Sequence, residues 1–159
     1  MDYSLVLHGV NLALHALAST VWVGGLFFAL VVLRPAANPL EAPQRLQLQQ
    51  RVFSGFFPWV WASIAVILLT GFAMIYGFYG GMANIGLYVH LMLGLGILMV
   101  LLFFHIYFAP YRRFKRALAA QDWSGAGVQG GKVRLFMIIN LTLGVVVVIL
   151  GAGGQFLLP

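Results

Sequence analysis

The chain has 159 residues, 62% hydrophobic and only 8% charged, whereas an average soluble domain carries about 25% charged side chains; the composition excludes a water-exposed surface and makes the bilayer the solvent. The absence of cysteine excludes disulfides, thiolate metal sites, iron–sulfur clusters and covalent CxxCH haem attachment. The net charge of +6 does not signal nucleic-acid binding, because the nine Lys and Arg lie between apolar runs, where membrane topology accounts for them.

Four apolar runs follow in order, over about residues 3–33, 53–79, 85–109 and 135–158. Each reaches the ~20 residues that cross a bilayer core of ~30 Å. Lipid offers no partners to backbone amides, so each run must be helical. The expected fold is all-α, a polytopic four-helix bundle forming one transmembrane domain over 1–159. The first run follows Asp2 without a basic lead and is too long for a signal-peptide core. It carries His8, His15, Trp22, Gly24 and Gly25. Arg34, Arg45 and Arg51 surround the first connection, where Pro43–Arg51 reads as a helical lead-in with proline in its first turn. Pro58 is expected to kink the second helix.

The second connection, Gly80–Asn84, has no charge. The third run carries His90 and His105, and Tyr111–Ala120 reads as its basic extension, containing Arg112, Arg113, Lys115 and Arg116. Ser124–Gly131 reads as a flexible turn. Asn140 and four glycines at 144, 151, 153 and 154 mark the fourth run. The positive-inside rule places the first and third connections in the cytoplasm and both termini outside it, as in a bacterial inner membrane protein. The acidic residues Asp2, Glu41 and Asp122 all fall outside the membrane core, leaving no proton-carrying carboxylate there. Trp59, Trp61, Phe56, Tyr76, Tyr79 and Tyr88 read as an interfacial aromatic belt.

An ionisable residue within a span is a functional-site hypothesis by default. His8 and His15 are seven residues apart and share a helix face, but lie roughly 10 Å apart along the axis. Counting up from the arginine ending each helix puts His15 at roughly 28 Å and His90 at roughly 33 Å, with His105 at only roughly 10 Å. His15 and His90 can therefore meet, with His8 as the alternative first-helix ligand. Facing histidines at one level can hold a haem edge-on, and Gly94 would let a macrocycle approach. Thr70 lies level with His15 and can orient its imidazole. His105 and Asn140 are expected to hydrogen-bond across helices as a structural pair. Met74, Met82, Met92 and Met99 supply the copper alternative, since thioether and imidazole suit copper(I).

The segment His15–Gly25, a histidine followed by an apolar turn and W-x-G-G, resembles the first-helix signature of the CopD-like membrane proteins. The HemJ-type protoporphyrinogen oxidases are similar in the same segment. Leu69-Thr70-Gly71 and Gly86–Leu91 extend the likeness to the second and third helices. The resemblance implies a four-helix core that binds haem or copper. It departs at His90, where both relatives tend to carry lysine, which favours a bis-histidine haem over the oxidase assignment.

Three functions follow. The first is a b-type haem protein in electron transfer with a quinone or periplasmic carrier, protoporphyrinogen oxidation being its enzymatic form. The second is copper transport or resistance. The third is a non-catalytic subunit or assembly factor within a larger membrane complex; a homo-oligomer is a further partner expectation. The lipid bilayer is a partner in all three.

Overall fold

The computed structural model describes residues 3–158; Asp2 lies outside the described residues. Among these, four helices are long and apolar enough to cross a membrane, and no strand occurs.

Helix α1 spans Tyr3–Phe27 and continues through a π-helical stretch, Phe28–Leu33, into a closing α-turn, Arg34–Ala36. Pro35 has no N–H to return to the preceding turn, and the winding widens just before it. Helix α2, Ala42–Gly77, starts with Pro43 in its first turn and runs through Pro58 without interruption. It therefore includes the polar lead-in expected at Pro43–Arg51. Its C-terminus is closed by Phe78 and Tyr79 amides donating to the Met74 carbonyl, and by the Gly81 amide donating to Ile75. Gly80 (φ +75°) and Gly81 (φ +119°) then turn through the region that favours glycine.

Helix α3 spans Leu87–Phe108. The basic segment is not a continuation of it. Ala109 leaves helical geometry (φ −112°, ψ −87°) ahead of Pro110, and a separate helix α4, Pro110–Ala119, follows. The α4 helix buries Tyr111 and Phe114 and exposes Arg112, Arg113, Lys115 and Arg116. Its Lys115 ammonium lies over the Tyr111 ring, 4.8 Å from the centroid.

Helix α5 spans Trp123–Leu157, so the glycine-rich stretch Ser124–Gly131 is helical and not a flexible turn. Two contacts offset its poor intrinsic propensity. The Asp122 carboxylate caps the helix, accepting from the Gly125 amide at 2.8 Å. Gly130 is buried against Phe114 of α4, where a side chain would crowd the ring at 3.3 Å. Gly130 is thus a point at which α5 admits α4.

The close pairs are α1 with α2 and α3 with α5, while α4 packs on α5. Helix α5 also lies between α1 and α3, since the space beside Gly144 is bounded by Val23 and Met99. The apolar core is concentrated toward the arginine-rich end. There Phe57 stacks edge-on with Phe103 and Tyr111, at 5.4 and 4.7 Å between centroids. Trp61 and Phe56 pack against this core and are not belt residues, whereas Trp59 and Tyr76 are exposed as a belt requires. Exposed Leu, Val, Ile and Phe side chains cover the outer faces, where lipid replaces water.

Candidate functional site

The most closely held polar group on α1 is His15. Its Nδ1 lies 2.9 Å from the Thr70 hydroxyl of α2. Thr70 donates its own proton to the Val66 carbonyl at 2.6 Å. A hydroxyl has one proton, so its oxygen accepts from His15, and Nδ1 carries the hydrogen. The Nε2 lone pair is then left for another partner, an arrangement that prepares an imidazole to bind a metal. Gly71 leaves room for the ring, since a Cβ there would meet His15 Cε1 at 3.3 Å.

Two turns nearer the N-terminus, His8 also faces α2. Its ring stacks on Phe78 at 3.6 Å and 14°, with Tyr79 edge-on at 6.3 Å. Its Nδ1 is buried and has no hydrogen-bond partner, a condition that folded proteins seldom leave unexplained. A cavity of about 220 Å³ opens beside it, lined also by Asn11, Ala73 and Met74. Helical spacing produces this arrangement. His8, Asn11 and His15 are at i, i+3 and i+7 on α1, and Thr70 and Met74 are at i and i+4 on α2. The α1–α2 seam therefore carries two levels of donors: His8 with Met74, then His15 with Thr70.

His90 is elsewhere. It is exposed on α3, and its Nδ1 lies 3.2 Å from its own helix's Gly86 carbonyl. Helices α1 and α3 are not a close pair, and α5 lies between them at Gly144. Among the described residues, no hydrogen bond or ring contact brings His15 and His90 together. Among the described residues no group of three or more His, Cys, Asp or Glu side chains is placed to hold a metal. Gly94 is exposed and approaches nothing, because a Cβ there would stand in open space.

The expected His105–Asn140 pair does not form. Asn140 is buried and donates to the Met99 carbonyl at 3.2 Å, while its Oδ1 has no partner. His105 is exposed and lies edge-on to Phe136 at 4.7 Å. His105 lies beside Phe136, whereas Asn140, one turn further along α5, lies beside Met99. Met92 and Met99 fill the space beside Gly151 and Gly144, so they serve packing, whereas Met74 lines the cavity beside His8. The cavity that His8 and Met74 both line is not marked by depth along the helices. Its signal was the parallel spacing of donors on α1 and α2.

These features define an all-helical, multi-pass membrane protein with imidazole and thioether donors along one helix seam. The chain matches the family "Copper resistance protein D" (CopD) over residues 50–153, well over half its length, and belongs to that family. The matched segment contains Thr70, Met74 and His90, whereas His8, His15 and the W-x-G-G signature precede it. No curated protein and no solved structure matches the chain.

Proposed function

We propose that this protein moves copper across a membrane, with copper(I) as cargo held first between His8 and Met74. The carrying observation is the buried, unpartnered His8 Nδ1 in a cavity that Met74 also lines, in a chain of the copper resistance family. Imidazole and thioether together favour soft copper(I). With no cysteine in the chain, they are the only soft donors it has. His15, fixed by Thr70, offers its Nε2 as the next donor along the seam. The arginine distribution orients the protein with both termini outside the cytoplasm, so this mouth faces outward in a bacterial inner membrane. The bis-histidine haem reading, with electrons passed to a quinone, gains no support from an exposed His90 and an intervening α5.

The test is copper(I) titration of the purified protein against a chromophoric chelator. His8→Ala and Met74→Leu should each weaken binding roughly tenfold or more. Wild-type affinity in both variants, or a Soret band in the purified protein, would overturn the proposal.

A further inference from the structure

A larger cavity, about 360 Å³, lies at the opposite, arginine-rich end of the bundle, where α1, α2 and α5 converge. Its lining contains Arg34, Arg45 and Arg134, one from each converging segment, together with Asn38 and Gln49. Among the described residues, no carboxylate lines it. Arg134 is half-buried, and its Nε is enclosed without a hydrogen-bond partner. Three cations around one cavity repel each other, and a buried guanidinium N–H without an acceptor is costly. An anion between them removes both penalties.

The backbone around the cavity makes room for such a group. The π-helical stretch Phe28–Leu33 contributes Ala29, Leu30 and Leu33 to the wall, and π-winding recurs where helices line sites. Gly127, Gly130 and Gly131 form the α5 side without side chains. The remaining wall is apolar, through Leu46, Leu48, Val52 and Met137.

We infer that this cavity binds a phosphate-bearing anion through Arg34, Arg45 and Arg134. The guanidinium fork matches phosphate oxygens in pairs. The apolar wall fits a phospholipid headgroup with the start of its acyl chains better than free phosphate. Basic pockets between spans are a recognised setting for anionic lipid headgroups. The binding is separate from the copper seam and stands or falls independently of it.

The experiment uses the whole protein in nanodiscs of neutral phosphatidylcholine. Phosphatidylglycerol or inorganic phosphate is added, and bound ligand is read by native mass spectrometry and thermal unfolding. Retained phosphatidylglycerol with a raised Tm, and no response to inorganic phosphate, supports the cavity with lipid as the source. Stabilisation by inorganic phosphate supports it with the free anion as the source. Arg45→Gln and Arg134→Gln should each weaken binding about fivefold, and Arg134→Lys should fall between wild type and Arg134→Gln. Arg34→Gln, at an exposed position, repeats the test without threatening the fold. No preference for either ligand over neutral lipid, or equal retention in all variants, would overturn the inference.

Discussion

Two threonine hydrogen bonds orient His15. Thr70 spends its single proton on the Val66 carbonyl and accepts from His15 Nδ1, which in the neutral ring leaves the Nε2 lone pair for another partner. Thr70→Val keeps the volume but removes the acceptor, so the imidazole loses its fixed tautomer and orientation. Copper binding at His8 and Met74 should stay near the wild-type value, while copper(I) flux into proteoliposomes falls roughly tenfold or more. Equal loss of binding and flux would place His15 at the first site and not beyond it. His105→Ala, which removes an exposed ring lying edge-on to Phe136, should leave both measurements unchanged; reduced flux there would give His105 a role that its exposed position does not provide. Residue identity and depth were legible in the sequence, because helical rise fixes level closely. Thr70 and His15 meet at the level expected. Azimuth was not legible, because a helix apolar on every side gives no stripe to orient it. For that reason the absence of the expected bond between His105 and Asn140 was not legible.

At the scale of the helix, small residues decide which neighbours can approach. A Cβ on Gly154 would come within 2.7 Å of the Tyr88 Cβ, whereas one on Gly94 would meet nothing. Gly154→Ala should therefore destabilise the protein by about 1–3 kcal/mol in reversible detergent unfolding. Gly94→Ala should be neutral or gain up to ~1 kcal/mol of helix propensity. The reverse order would mean that the α3–α5 seam is not the one described. The four spans were legible from apolar length alone. The helicity of Ser124–Gly131 was not, since its glycines are read as a turn until Phe114 of α4 is seen to pack on Gly130. The break at Ala109 was signalled by Pro110, but the amphipathic character of the following ten residues shows its purpose only when Tyr111 and Phe114 are found buried.

Across the whole molecule, the two ends differ in chemistry. One holds histidine, methionine and a small cavity; the other gathers the arginines and the aromatic core. That polarity sets a direction for cargo once the protein is oriented. Fusing a periplasm-active reporter to the C-terminus should give activity, and fusing it at Gln121 between α4 and α5 should give none; the opposite pattern would turn the histidine end toward the cytoplasm. The proposed copper site is open to a direct structural probe, because the chain has no cysteine and any sulfur bound to copper must be methionine. X-ray absorption of the copper(I)-loaded protein should show a mixed nitrogen and sulfur shell whose sulfur component disappears in Met74→Leu. A shell of nitrogen and oxygen alone, or sulfur that persists in Met74→Leu, would contradict a copper site between His8 and Met74.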